Sequence, residues 1–223
     1  MEREKQFTEI LHVTMEDLVK RHPLLLKCKS DIEKATEAIV CSYEKGGKLL
    51  VCGNGGSASD AEHIAGELMK GFLSRRPLTD DLKQRFTHID PLLGKLLGEK
   101  LQMPLTAISL TGHPSLSTAF ANDVDPAFVY AQQVLGYGKK DDVLIAISTS
   151  GNASNVISAA VAARALGISV ISLTGESGGK LLRYATHPIR VPETETFKVQ
   201  ELHLPVYHAI CQAVEAYFFP EGH

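Results

Sequence analysis

Long hydrophobic runs, paired cysteines and concentrated charge are all missing from this sequence. No uninterrupted apolar stretch approaches the roughly 18 residues of a membrane span, and the opening MEREKQFTEI lacks the apolar centre of a secretion signal. The expectation is a soluble, cytoplasmic chain without a membrane partner. The four cysteines, Cys28, Cys41, Cys52 and Cys211, form no CxxC pair and stand in apolar or helical surroundings, which suits reduced thiols in a cytosol. Lysine and arginine are scattered and the formal net charge is -3, so there is no basic footprint for nucleic acid or an anionic membrane surface. Internal repeats and low-complexity tracts are absent too.

What is present is an ordinary globular composition, 44% hydrophobic over 223 residues, enough to bury one core and read as a single domain over 1–223. Apolar side chains at helical spacing over residues 7 to 20 (Phe7, Ile10, Leu11, Met15, Leu18) and 30 to 45 (Ile32, Ala35, Ala38, Ile39) predict two leading helices, the second stopped by Gly46-Gly47. Short apolar runs then follow at 48–52, 105–110, 143–147, 168–173 and 189–191, with helical patterns between most of them. That alternation predicts an α/β fold, a doubly wound parallel sheet with helices on both faces. The longest helices are expected over 152–166 and 198–219. Pro205 implies a kink in the last one or a start close to it. Between Phe72 and Pro104 an excursion, 73–103, reads as a helical insertion of one or two helices.

Chemistry concentrates where the first strand runs into VCGNGGSASDAEHIAGEL, residues 51 to 68. Gly53, Gly55 and Ala58 match the weak G-x-G-x-x-A pattern, but no strand ending in an acidic residue follows about 20 positions later, which argues against a dinucleotide site. The absence of Gly-Lys-Ser/Thr excludes a Walker phosphate loop. A second loop of the same kind, VLIAISTSGNASNV at 143–156, carries Ser148, Thr149 and Ser150 ahead of a helix. Two hydroxyl-rich, lysine-free turns opening helices suit a small phosphate monoester held by neutral donors and a helix dipole.

His63 and Glu67 follow the first loop four residues apart, so they share a helix face about 6 Å apart along the axis. An isolated pair of this kind is ordinarily an exposed helix contact, but this one starts within two turns of a phosphate-type loop. Gln200 and His208, eight residues apart, would be separated by about 80° and about 12 Å in an unbroken helix, so both reach one ion only if the backbone bends. The other histidines (His12, His22, His88, His187, His223) have no partner spacing; His203 suits packing or a subunit contact, and His113 follows the second strand.

These loops, with AND at 121–123, VISLTGESGGKL at 170–181 and VQELHLPVYHAI at 199–210, resemble the sugar isomerase (SIS) family of flavodoxin-like folds, and within it the phosphoheptose isomerases. The resemblance implies that Ser57, Ser148, Thr149 and Ser150 hold the phosphate, while Asn54, Gly55, Gly56, Asn122 and Asp123 line the sugar, with Gln200 beside it. It also implies a zinc ion held by His63, Glu67, Gln200 and His208, with Glu67 and His208 as the proton-transfer pair of an aldose-ketose isomerisation in heptose biosynthesis for lipopolysaccharide or capsule. Pockets built between subunits imply a homotetramer, or failing that a dimer. Three positions depart from the family's pattern: Ala153 replaces a phosphate-binding serine, Phe197 an aspartate and Gly71 an arginine. They keep open an isomerase of another phosphosugar. The rival from a different class is a non-catalytic SIS module that binds phosphosugars or a protein such as a replication initiator, although Glu67 and His208 are both present.

Overall fold

A computed structural model describes residues 2–220. Five strands, β1 (Leu49–Cys52), β2 (Ala107–Ser109), β3 (Val143–Ile147), β4 (Ser169–Thr174) and β5 (His187–Arg190), form one sheet in the order β2-β1-β3-β4-β5. Every pairing is parallel. This is the expected doubly wound sheet, and its strand order reverses between β1 and β3. At such a switch point the loops leaving the carboxyl ends of neighbouring strands diverge to opposite faces and open a crevice.

Strand side chains alternate between two cores. Leu49, Val51, Val143, Ile145 and Ile147 face one side, where they join buried residues of α1 (Glu2–Arg21), α2 (Lys29–Glu44), α3 (Gly56–Met69) and α9 (Thr196–Phe218). Leu50, Cys52, Leu144 and Ala146 face the other, against α7 (Val129–Tyr137) and α8 (Ser154–Ala165). Period-two alternation with both faces apolar is why these strands read as continuous hydrophobic runs. Burial pushes the Cys52 and Cys211 thiols up to about 12, so both act as small core residues.

The strands fall within a few residues of their expected positions, but the helices differ more. With 20 residues α1 outruns the 12-residue α8, because it begins in the polar, helix-forming run 2–6 ahead of the apolar stripe at Phe7. A short helix α6 (Pro114–Asp123) fills the crossover ahead of α7. The insertion forms two helices, α4 (Asp80–Ile89) and α5 (Pro91–Lys100), folded into a hairpin. An added Cβ on Gly94 would lie 2.2 Å from the Phe86 carbonyl oxygen, so glycine lets the two helices approach.

Pro205 neither starts nor breaks α9, which runs unbroken from Thr196 to Phe218 with the proline inside it. His203 on this helix is fully buried within the chain, so its role is packing and not a subunit contact. No helix among the described residues is long and apolar enough to cross a membrane. His223 lies outside the described residues.

Candidate active site

The two serine-bearing turns meet at the β1/β3 switch point. After β1 the chain turns through Asn54 and Gly55, whose φ of +57° is a conformation that glycine adopts without strain, and α3 starts at Gly56. After β3 it turns through Ser148, Thr149 and Ser150 to Gly151 at φ +66°, and α8 starts at Ser154. Neither N-cap, Gly55 nor Ala153, supplies a side-chain cap. Two helix starts without side-chain N-caps suit an anion, although the Ser57 and Ala58 N–H groups already reach the Asn54 and Gly55 carbonyls and that of Val156 reaches Asn155 Oδ1.

A reciprocal amide pair ties the turns together. Asn54 Nδ2 donates to Asn155 Oδ1 at 2.8 Å, and Asn155 Nδ2 donates back to Asn54 Oδ1 at 2.9 Å. The Tyr130 hydroxyl, donating to the Gly53 carbonyl at 2.6 Å, fixes the glycine turn from α7. A crevice of about 410 Å³ lies here, lined by Asn54, Asp125, Ala127, Ala153, Ser154 and Asn155. Ser57 and Ser148 are buried, Thr149 half-buried and Ser150 exposed, its Oγ accepting the Asn152 N–H at 3.2 Å. Asn122 and Asp123, at the end of α6, are exposed and bonded to each other at 2.9 Å, a few residues ahead of Asp125.

A second group forms on the seam between α3 and α9. His63 Nε2 stands 3.2 Å from Glu67 Oε1, and the His63 and His208 rings lie edge to face with centroids 5.0 Å apart. Glu67 and His208 therefore meet on either side of one imidazole. Phe72 stacks on His208 at 5.6 Å and Lys70 Nζ reaches Glu67 Oε2 at 3.0 Å. Burial and the neighbouring His63 hold the His208 imidazole below the usual histidine range, with Glu67 opposing them. His208 Nε2 is buried without a hydrogen-bond partner. Along α3 this group lies about 9 Å (His63) to 15 Å (Glu67) from Ser57, at 1.5 Å per residue.

The four-donor metal set is not assembled within one chain. An added Cβ on Gly56 would fall 2.4 Å from Gln200 Nε2, so Gln200 lies over the start of α3, with the glycine loop. Because α9 is unbroken, Gln200 is about 12 Å in rise from His208. His63 Nε2 and Glu67 Oε1 have a separation close to the edge of a zinc tetrahedron with bonds of about 2.1 Å, and His208 Nε2 is an orphan beside them. Yet among the described residues no three His, Cys, Asp or Glu side chains are placed to hold an ion. The donors of one chain thus do not by themselves fit the metal, and no chemical step below runs through it.

Other residues of this seam have no signature in the sequence. The Tyr207 hydroxyl lies 3.0 Å from His63 Nδ1 and 3.3 Å from Asp60 Oδ1. Arg76 and Glu215, both fully buried, pair at 2.6 Å. Glu215 also accepts the N–H groups of Phe72, Leu73 and Ser74, while Arg76 donates to the carbonyls of Leu68 and Glu67. Burial alone would raise the Glu215 carboxyl, but these donors hold it below the usual range. The same turn explains Gly71, where an added Cβ would lie 2.0 Å from the Ser74 carbonyl oxygen. Nothing in the structure explains Phe197, which is exposed. His113 packs on Tyr137 at 5.5 Å, with its Nε2 buried and without a hydrogen-bond partner.

The SIS domain model matches residues 19–88 and 97–175. A curated phosphoheptose isomerase of Rhodospirillum rubrum is 38% identical over 84% of this chain and 86% of its own length. The chain belongs to the phosphoheptose isomerase family. Among solved structures, the phosphoheptose isomerase of Neisseria gonorrhoeae superimposes with a TM-score of 0.69 at 31% identity, covering 96% of each chain. That of Francisella tularensis gives 0.71 at 31% identity over 93% of this chain and 97% of its own. The SIS match resumes only at residue 97, so residues 89–96, the hairpin tip and the first half of α5, fall outside it.

Proposed function

We propose that this chain is a phosphosugar aldose-ketose isomerase that converts sedoheptulose 7-phosphate to D-glycero-D-manno-heptose 7-phosphate. The observation that supports this reading is the pairing of Glu67 with His63 against the His208 ring, on the helix that starts at the glycine turn. Residues 1–223 act as one catalytic domain, with 73–103 inserted in it, in a cytoplasmic homotetramer or dimer that brings a second copy to the pocket.

Ser57, Ser148, Thr149, Ser150 and the two helix starts hold the phosphate, while Asn54, Gly55, Gly56, Asn122, Asp123 and Gln200 orient the sugar. Glu67 takes the proton from the carbon beside the carbonyl. The C–H electrons form the enediolate double bond, and the carbonyl oxygen gains a proton from His208. Glu67 then returns its proton to the former carbonyl carbon, while the neighbouring hydroxyl gives its proton to His208 and becomes the new carbonyl, which restores both residues. Burial and the neighbouring His63 disfavour the charged His208 ring, so once protonated it gives up its proton readily to the substrate oxygen. Ala153 supplies no cap at the α8 start, so the Ser154 and Asn155 N–H groups are left for the phosphate, that of Val156 being taken by Asn155 Oδ1.

Glu67→Gln should lower kcat about 10²- to 10⁴-fold, the usual worth of a general base, and leave the thermal shift given by the phosphosugar intact. Turnover at the wild-type rate in this variant removes Glu67 from the mechanism. Wild-type protein that binds the phosphosugar without converting it, with added zinc and with chelator alike, would identify a non-catalytic SIS module. Conversion of a different phosphosugar alone would reassign the substrate, and a rate lost to chelator and restored by zinc would establish the metal.

A further inference from the structure

The registered pairing of β1 with β3 ends at Cys52 and Ala146, and both strands then leave the sheet as turns. Glycine at 53, 55 and 56 gives the first turn a backbone with unusually much freedom to lose when it is ordered. Its own hydrogen bonds, from the Ser57 N–H to the Asn54 carbonyl and from the Ala58 N–H to that of Gly55, are local and do not set its distance from the second turn. Two side chains do. Tyr130 on α7 donates its hydroxyl to the Gly53 carbonyl at 2.6 Å, and Asn155 on α8 exchanges amide hydrogen bonds with Asn54 at 2.8 and 2.9 Å.

Hydrogen-bond chemistry decides which way the amide pair faces. The Val156 N–H can only donate, so the Asn155 atom 3.0 Å from it must be the oxygen Oδ1. That same oxygen faces Asn54 and meets Nδ2 there, which leaves Asn155 Nδ2 to donate back to Asn54 Oδ1. Asn54 keeps its second Nδ2 hydrogen for a ligand. Tyr130 is 8% exposed, and burial pushes its hydroxyl up to about 12, so it stays a donor at neutral pH.

We propose that Asn155 and Tyr130 are positioning residues that hold the glycine turn at a set distance from the Ser148–Ser150 turn, so that a phosphate group held by both turns meets a preformed gap. The inference rests on the phosphosugar reading of the two turns. Asn155 acts through Asn54, and Tyr130 through Gly53. Without them the turn loses its conformational freedom on binding instead of on folding, and affinity falls accordingly. Isomerisation takes place at the carbonyl end of the sugar and leaves the phosphate unchanged. Contacts that are alike in the ground and transition states act on KM and not on kcat.

The test uses the full-length protein, with sedoheptulose 7-phosphate for kinetics and inorganic phosphate for equilibrium titration. Asn155→Ala removes both amide bonds and should raise KM and the phosphate dissociation constant together, each about 10-fold, with kcat within about twofold. Tyr130→Phe removes one hydrogen bond and should raise both about threefold. Thermal unfolding should report folded protein in each case, since Asn54 is exposed and Asn155 half-buried. A purely structural role would lower the active fraction, and with it kcat, at constant KM. On an Asn54→Ala background, Asn155→Ala should weaken phosphate binding by less than about twofold, because a residue that acts through Asn54 has nothing further to lose. A second loss as large as the first would make Asn155 a direct ligand contact and overturn the proposal, as would a phosphate affinity that ignores Asn155→Ala. Phosphate titration needs no turnover, so an inactive wild type whose phosphate binding follows these variants would remove the isomerase reading and leave the positioning role standing.

Discussion

Two polar groups share the seam between α3 and α9, and they are finished to different degrees. Around Arg76 and Glu215 the donors and acceptors are matched, with three backbone N–H groups and a guanidinium on one carboxylate and two carbonyls on the guanidinium. Around His63, Glu67 and His208 atoms are left over, because His208 Nε2 and Asp60 Oδ2 are buried without partners. A buried polar atom left unmade costs about 1–3 kcal/mol, so a fold tolerates it where something other than stability is served. The matched group fixes where the chain leaves α3, and the unmatched one keeps polar atoms free of protein partners.

Removing Glu215 should have the largest effect on stability. Glu215→Ala strands a buried guanidinium and three N–H groups together, and breaking one side of a buried pair costs about 3–5 kcal/mol. Arg76 also holds a left-handed φ of +46°, so the released turn would relax away from the Glu67 carbonyl it now binds. Urea unfolding at neutral pH measures the loss. A cost under about 1 kcal/mol would mean that the matched group is not the anchor its hydrogen bonds suggest.

An imidazole outside both groups sharpens the comparison. His203 is fully buried on α9, and burial pushes it down to about 4 from 6.5, with the Thr174 backbone opposing. As pH falls the unfolded chain binds this proton first, so the stability contribution is complete above pH 6.5 and drains away between 6.5 and about 4. The wild type should therefore lose about 3 kcal/mol across that window relative to His203→Gln, which has no proton to take up. Parallel curves for the two proteins would show that His203 takes up its proton equally in the folded and unfolded states.

Local patterns made half of this site legible. The turns at 53–57 and 148–152 declare themselves because glycine and hydroxyl residues between an apolar run and a helix form one contiguous signal. His63 and Glu67 do so through a four-residue spacing. The pairing of Arg76 with Glu215 spans 139 residues and that of His63 with Tyr207 spans 144, and no periodicity encodes contacts so distant. Gln200 shows the limit from the other side. Eight residues from His208 on an unbroken helix, it belongs to the glycine loop, and only the continuity of α9 through Pro205 decides that. The α/β alternation was legible because buried parallel strands are continuous apolar runs, whereas α6 lacked a stripe to announce it and has no buried residue.

The smallest effect is expected where the insertion hangs from the matched group. Pro77 pairs with Gln102 across the base of the hairpin, the Met103 N–H donates to the Arg76 carbonyl at 2.8 Å, and Gly71 N–H donates to Gln102 at 2.6 Å. Beyond that base α4 buries no residue and α5 buries only Gly94 and Gly98, while Ile89, Leu92, Leu93 and Leu96 are exposed. Replacing residues 79–100 by a short glycine-serine linker joins ends already held together, and loop-closure entropy changes slowly with length. The excised protein should unfold within about 1 kcal/mol of the full chain, since it loses almost no buried apolar surface. A loss comparable to that of Glu215→Ala would mean that the leucines of α5 are covered in the assembled protein, and that the hairpin is part of what holds it together.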